Sequence, residues 1–191
     1  MNMKIKEEIE QTLLKTEREG IDDLIAYLKV VDYFEAPCSG GNHLAKEGGL
    51  AEHSLNVLHI AEKMSVALIG GKNLTKEMQN AIIICSLLHD LGKCGQFRKP
   101  EYIENILASG KKSDNKPFKR NPDLLNVPHE IRSVAIASMF IDLTEEEQHA
   151  ILYHNGLYGP LKYEIQGNET PLYMIIHWAD MWASRVIESK K

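Results

Sequence analysis

The sequence has few cysteines and no long hydrophobic run, and each shortage excludes a class of protein. Cys38, Cys85 and Cys94 form neither an even disulfide framework nor a CxxC pair, so we expect reduced thiols. The longest apolar run, residues 81–88, is far shorter than the roughly 20 residues that a membrane-spanning helix needs. The amino-terminal residues are charged where a secretory signal would be apolar. We therefore predict a cytoplasmic protein that does not associate with membranes.

Positive charge is also in short supply. The chain has 22 Lys and Arg residues against 27 Asp and Glu residues, a net charge of -5, so general polyanion binding is excluded. The exception is residues 93–120, here called the basic segment, where eight basic and three acidic residues give a charge of +5. Such a segment is equally compatible with a solvated surface and with a rim that attracts a phosphorylated substrate.

Helical spacing dominates the 191-residue chain, whose length suits one domain. Hydrophobic residues make up 43% and charged residues 26%, which are ordinary values for a folded globular protein. Apolar residues recur at intervals of three and four, and strict alternation is scarce, which predicts an all-α fold. Predicted helices cover residues 5–18, 22–33, 50–69, 75–91, 128–141, 145–154 and 171–187. Residues 158–170 are compatible with a small hairpin or with an ordered loop.

Ionisable side chains lie on the apolar faces of three predicted helices. His53 lies on the inner face of the third helix, and His89 and Asp90 end the fourth. Asp180 lies on the apolar face of the last helix. Any one of these residues alone is more often a hydrogen-bonded core residue, but a buried charge must be paired, protonated or bound to a metal. One cation would satisfy all four groups, and mixed imidazole and carboxylate ligands suit Mn, Fe, Ni or Zn.

Two further histidines lie near helix ends and extend this set of candidate ligands. His129 lies in the first turn of its predicted helix, where an exposed residue is equally compatible with the pattern. His154 lies at the end of the next helix, where a histidine can instead cap the helix dipole.

The residues around these positions resemble the HD superfamily of metal-dependent phosphohydrolases. His53 lies within GGLAEHSLNV, His89 and Asp90 within LLHDLGK, and Asp180 within IIHWADMWASR, in the order that names the superfamily. The resemblance covers residues 37–185. It implies an all-helical fold in which these four residues hold a divalent cation, with amino-terminal helices in residues 1–36, a metal-binding core in residues 37–185 and a single domain over residues 1–191.

Some members of the superfamily hold a second metal, and the resemblance extends to them in part. Cyclic di-nucleotide phosphodiesterases and certain di-iron oxygenases use two additional histidines, which His129 and His154 resemble, with Asp90 bridging both metals. The chain lacks the GYP signature of the cyclic di-nucleotide enzymes, and Asn155 stands where they have a histidine. The loop NHLAKEGGLAEHS also resembles the HD domain of bacterial 3'-to-5' exonucleases.

The expected reaction is hydrolysis of a phosphoester, in a nucleotide or a short nucleic-acid end, by a metal-activated water. Asp90 and Lys93 are the predicted catalytic residues, and Lys93 is also a candidate for phosphate binding, although a helix-terminal lysine is equally compatible with its position. Further candidates for substrate binding are His177, Ser184 and Arg185. Two alternatives remain open: a di-iron oxygenase that uses the same ligands, and a non-enzymatic binding module in which the metal only holds the helices together.

Overall fold

The computed structural model describes residues 3–159 and 161–189 and confirms the all-α fold. The helices are α1 (Met3–Leu14), α2 (Ile21–Val30), α3 (Gly49–Ser65), α4 (Lys76–Leu88), α5 (His129–Ala137), α6 (Glu145–Tyr153) and α7 (Pro171–Trp182). Short 3-10 helices follow α4 and α6, at Leu91–Cys94 and Gly156–Tyr158, and π-helical turns extend α3 and α7, at Val66–Gly70 and Ala183–Ile187. None of the described helices has both the length and the apolar character that a bilayer crossing requires.

Threonine caps fix the beginnings of three helices near the predicted positions. At α6, Thr144 Oγ1 accepts from the Glu147 backbone N–H at 3.2 Å, and Glu147 Oε2 accepts from the Thr144 N–H at 2.8 Å. This reciprocal pair is the capping box that the sequence predicts. Thr75 and Thr170 accept in the same way from backbone N–H groups three residues on, at the starts of α4 and α7.

Several helices end earlier than predicted. The sequence predicts that the fourth helix reaches residue 91, but α4 ends at Leu88 because Asp90, at φ -103° and ψ 10°, leaves the helical conformation. The chain then tightens into the 3-10 turn Leu91–Cys94. The fifth helix covers His129–Ala137 instead of residues 128–141.

A small two-stranded sheet lies within the basic segment. Strand β1 (Tyr102–Glu104) pairs antiparallel with β2 (Phe118–Arg120). The Phe118 N–H donates to the Gly40 carbonyl at 3.0 Å, and a Cβ on Gly40 would lie 2.9 Å from the Phe118 carbonyl oxygen, so glycine permits this close approach. Of the two alternatives for residues 158–170, the structure has the ordered loop: residues 158–159 and 161–170 contain turns and no strand, and residue 160 lies outside the described residues.

The core forms around α3. This helix packs against α1, α4 and α7, while α6 packs against α4, α5 and α7. The apolar face of α3 is buried in these contacts, as its helical spacing predicts. Its buried apolar residues are Leu50, Ala51, Leu55, Val57, Leu58 and Ala61. The carboxyl-terminal end of α4 therefore lies inside the bundle, within reach of α3, α5, α6 and α7.

Candidate metal centre

The end of α4 places His89 and Asp90 inside the protein, where they are 0% and 1% exposed. The 3-10 turn that follows packs closely on α5, and the Gly92 N–H donates to Ser133 Oγ at 2.8 Å. A Cβ on Gly92 would lie 2.3 Å from the carbonyl oxygen of His129. Glycine at this position therefore allows α5 to bring His129 up to Asp90.

One carboxylate oxygen of Asp90 faces side chains of α3 and α4. Asp90 Oδ2 lies 3.6 Å from His53 Nε2 and 3.4 Å from His89 Nε2. Asp180 approaches from α7, with Oδ1 3.2 Å from His53 Nε2. The ligand atoms of His53, His89 and Asp90 all lie within 4.8 Å of one another. The four residues that the sequence suggests for one cation are thus brought together by three helices.

The other carboxylate oxygen of Asp90 faces α5 and the end of α6. Asp90 Oδ1 lies 3.1 Å from His129 Nε2 and 3.5 Å from His154 Nε2. The ligand atoms of these three residues also lie within 4.8 Å of one another. Both additional histidines therefore reach the same carboxylate. The full set, here called the histidine–aspartate cluster, is His53, His89, Asp90, His129, His154 and Asp180.

Hydrogen bonds at the second ring nitrogen turn three of these histidines inwards. His89 Nδ1 and His154 Nδ1 donate to backbone carbonyls three residues earlier, at 2.9 Å and 2.7 Å, and His53 Nδ1 donates to Glu188 at 3.0 Å. A neutral imidazole with its proton on Nδ1 carries a lone pair on Nε2, which is the usual arrangement for a metal ligand. His53 Nε2 and His89 Nε2 lie 3.3 Å apart. Both nitrogens can therefore bind one cation, which would take the place of the proton that His53 Nε2 shares with Asp180 in the metal-free protein.

The two sides of the Asp90 carboxylate differ in their hydrogen-bond donors. Asp90 Oδ1 has no hydrogen-bond partner of acceptable geometry among the described residues, although His129 Nε2 is near. Asn155 Nδ2 lies 3.0 Å from His154 Nε2 and 3.2 Å from His129 Nε2, and it donates to Glu130 Oε1 at 2.7 Å. A cation beside Oδ2 must therefore share that oxygen with the Lys93 ammonium, which lies 2.5 Å from it. A cation beside Oδ1 must displace the Asn155 amide nitrogen from its place beside the two rings.

Neighbouring positive charge keeps the carboxylates of the cluster ionised. Burial opposes ionisation of Asp90, but Lys93 and the surrounding imidazoles hold its pKa well below the ordinary value. Lys93 Nζ lies 2.5 Å from Asp90 Oδ2. Burial would lower the pKa of Lys93, yet the Asp90 carboxylate raises it above the ordinary value. Burial also opposes ionisation of Asp180, and the hydrogen bond from His53 lowers its pKa. Both carboxylates are thus available as ligands at neutral pH.

Two cavities border the cluster, and Lys93 lines both of them. The larger has a volume of about 800 Å³ and is lined by Lys93 and His129 together with Lys116 and Arg120 of the basic segment. The smaller has a volume of about 420 Å³ and is lined by Lys93 and Asp180. A substrate in either cavity would therefore lie beside Lys93, which is paired with Asp90.

The smaller cavity also contains the remaining candidates for substrate binding. His177 Nδ1 donates to the His154 carbonyl at 2.7 Å, and Ser184 Oγ donates to the Asp180 carbonyl at 2.8 Å. The Arg185 guanidinium lies over the Tyr158 ring, 5.0 Å from its centroid. His177 and Ser184 thus make structural hydrogen bonds to the backbone, whereas Arg185 contributes an exposed cation to the cavity wall.

Three residues beside the cluster were not predicted from the sequence. Cys38 and His43 lie in the loop before α3, where no helical periodicity can place them, and Cys38 Sγ is 4.0 Å from Asp90 Oδ2. Burial raises the pKa of Cys38 to about 11. Burial, together with the positive charge of neighbouring His53 and Lys93, lowers the pKa of His43 to about 4. Glu188, the third residue, follows the π-helical turn that ends α7 and holds His53.

Comparison with known proteins identifies the family. The sequence profile of the HD domain family matches residues 50–182, more than half of the chain, and this range contains every residue of the histidine–aspartate cluster. No curated protein and no solved structure gives a significant match to the chain. HD domains are mostly metal-dependent hydrolases, and the clustered histidines and aspartates suit a divalent metal. From the extent of this match and the residues that it includes, the chain belongs to the HD domain family.

Proposed function

We propose that this protein is a metal-dependent phosphohydrolase that cleaves a phosphoester in a nucleotide or at a nucleic-acid end. The observation that carries the proposal is the position of Asp90, whose two oxygens face two different pairs of histidines. His129, beside one oxygen, lines the larger cavity, and Asp180, on the other side of the cluster, lines the smaller. An imidazole and carboxylate cluster beside a buried lysine suits a reaction whose electrophile is an anionic phosphate.

The first divalent cation would be held by His53, His89, Asp90 and Asp180. A second would be held by Asp90 with two further histidines, His129 and His154. When bound, an ion such as Mn, Fe, Ni or Zn supplies a nucleophile at neutral pH, because it lowers the pKa of water from about 15.7 to about 7. The Asn155 amide nitrogen competes for the second position, so we infer that the two positions differ in affinity.

Lys93 is the residue that we propose to contact the phosphate. Its ammonium is paired with Asp90 Oδ2 and borders both cavities, and its pKa is raised by that carboxylate. The side chain is therefore charged at neutral pH and is held beside the cluster. A fixed cation at this point stabilises the negative charge that develops on phosphate oxygens in the transition state.

Positively charged side chains on the walls of the two cavities favour a substrate with more than one charged group. Lys116 and Arg120 line the larger cavity, and Arg185 lines the smaller. A phosphate in either cavity would meet positive charge on a protein whose net charge is -5. His177 and Ser184 would act mainly by shaping the wall of the smaller cavity, since each is bonded to the backbone.

The test is a panel of phosphoesters assayed with protein that has been loaded separately with Mn, Fe, Ni or Zn. The proposal predicts metal-dependent release of phosphate or of a nucleotide, and loss of this activity in Asp90→Asn. Oxygen consumption by the iron-loaded protein without hydrolysis would favour the oxygenase instead. Full metal retention with no turnover of any phosphoester would favour the binding module, and either outcome would overturn the proposal.

A further inference from the structure

The loop before α3 brings a thiol and an imidazole together beside the histidine–aspartate cluster. Cys38 Sγ lies 3.2 Å from His43 Nε2. The rings of His43 and His53 have centroids 5.0 Å apart. One ligand atom from each of Cys38, His43 and His53 lies within 4.8 Å of the other two. Among the described residues, Cys85 and Cys94 belong to no such group.

We propose that Cys38, His43 and His53 form a binding site for a thiophilic divalent cation such as Zn²⁺. Thiolate sulfur and imidazole nitrogen are the ligands that Zn²⁺ prefers in proteins. In a tetrahedral zinc site, bonds of about 2.3 Å to sulfur and about 2.0 Å to nitrogen place these two atoms about 3.5 Å apart. The distance of 3.2 Å between Cys38 Sγ and His43 Nε2 requires only a small adjustment. On binding, the Sγ–H proton leaves for solvent and a sulfur–metal bond replaces it.

The loop holds the two new ligands close together before any cation binds. Ser39 Oγ donates to the His43 carbonyl at 2.8 Å, and the Cys38 N–H donates to the Leu44 carbonyl at 3.2 Å. These bonds close the loop on itself, so little ordering is needed at the site. His43 lines the smaller cavity, which gives a cation a path from solvent to the buried thiol.

The site is coupled to the histidine–aspartate cluster because both use His53. His53 Nε2 faces Asp90 and Asp180, and its Nδ1 donates to Glu188. A cation that takes either nitrogen removes one of these interactions. Lys93 Nζ also lies 4.0 Å from Cys38 Sγ, so a cation on the thiolate would repel the lysine from its place beside Asp90. If the proposed hydrolase function holds, occupation of this second site inhibits it.

Cobalt spectroscopy of the full chain tests the site without any assay of activity. Co²⁺ substitutes for Zn²⁺, and a thiolate ligand gives a charge-transfer absorption band in the near ultraviolet. The wild-type protein titrated with Co²⁺ should develop this band, Cys94→Ala should keep it, and Cys38→Ala should lack it. Absence of the band from wild-type protein at saturating Co²⁺, or its persistence in Cys38→Ala, would overturn the proposal.

A second variant is needed because a substitution at the buried Cys38 can also disturb folding. His43 is partly exposed, so His43→Gln leaves the core intact and should raise the Co²⁺ concentration for half-maximal band intensity at least about tenfold. If the Co²⁺ titration of His43→Gln is the same as that of wild type, the proposed site is also wrong. In a separate assay of phosphoester hydrolysis, Zn²⁺ should inhibit the Mn-loaded wild-type protein. The same Zn²⁺ concentration should inhibit His43→Gln less, so the ratio of activity with Zn²⁺ to activity without it should be higher in this variant. If no phosphoester is hydrolysed, the cobalt titrations still decide the binding proposal separately from the function.

Discussion

Replacing Glu188 should weaken metal binding although Glu188 is not among the proposed ligands of the cluster. Its side chain is 2% exposed, and its oxygens accept from His53 Nδ1 at 3.0 and 3.1 Å and from Asn56 Nδ2 at 2.9 Å. A carboxylate behind a ligating histidine orients the ring and increases its basicity, and its loss typically costs about 10- to 100-fold in metal affinity. We expect Glu188→Ala to lose about 100-fold, or about 2.7 kcal/mol, and Glu188→Gln about tenfold, since glutamine can still accept the hydrogen bond.

The size of this loss should depend on pH. Burial opposes protonation of His53, but nearby Cys38 and the hydrogen bonds to the Asp180 and Glu188 carboxylates raise its pKa well above the ordinary value. The metal-free ring therefore holds a proton at neutral pH that a cation must displace, so metal affinity should rise with pH until that pKa is passed. Glu188 stabilises the protonated ring as well as the ligating ring. Glu188→Gln should accordingly lose less affinity at acidic pH than at alkaline pH.

Competition against a chelator of known affinity, at fixed ionic strength and several pH values, measures these effects. The matched control is Glu8→Gln, because Glu8 makes a similar carboxylate–imidazole contact, at 2.8 Å, with His59 on the surface. Those two side chains are 48% and 44% exposed and lie outside the cluster, so the control should leave metal affinity unchanged. A Glu188→Ala variant that binds metal within about twofold of wild type, or a Glu8→Gln variant that loses as much affinity as Glu188→Ala, would contradict this role of Glu188.

Three further predictions concern catalysis, electrostatic attraction of the substrate and stability of the fold. Lys93→Ala should lower kcat by about 100-fold or more, because Lys93 would stabilise charge in the transition state; a change confined to KM would remove it from that role. Lys116→Gln should lower kcat/KM roughly two- to fivefold at low salt and make kcat/KM less dependent on salt, because Lys116 attracts the anionic substrate to the larger cavity. Lys119→Gln, on the strand face away from the cavity, should do neither, and equal effects of the two variants would refute this role of Lys116. Glu147→Ala should destabilise the fold by about 3 kcal/mol in urea denaturation, because Arg18 donates to this buried carboxylate at 2.7 and 3.0 Å. A double variant that also replaces Arg18 with Met should recover part of that loss, and strict additivity of the two changes would argue against the pairing.

Local signals in the sequence predict the parts of the fold that local physics determines. The capping box of Thr144 and Glu147 and the inward face of α3 that carries His53 follow from spacing alone. The same periodicity brings Asp180 to the site on α7. The helical framework and the residues of the cluster could therefore be named before their distances were known.

Contacts made through loops or altered helix geometry could not be predicted in this way. The hairpin pairs Tyr102 with Arg120 across a long connection, and its strands of three residues each carry too little alternation to be recognised. Glu188 reaches His53 because the π-helical turn Ala183–Ile187 changes the periodicity that a regular helix would continue. Cys38 meets His43 through the shape of a loop, which hydrophobic spacing does not encode.

The most direct test of the central claim is anomalous diffraction from crystals of the wild-type protein soaked in Mn²⁺. The account predicts a strong peak bounded by His53, His89, Asp180 and Asp90 Oδ2. It also predicts a weaker peak beside Asp90 Oδ1, His129 and His154, with the Asn155 amide displaced from its place between the two rings. A crystal at saturating Mn²⁺ with no peak beside Asp90, or with its peaks elsewhere in the chain, would contradict the account.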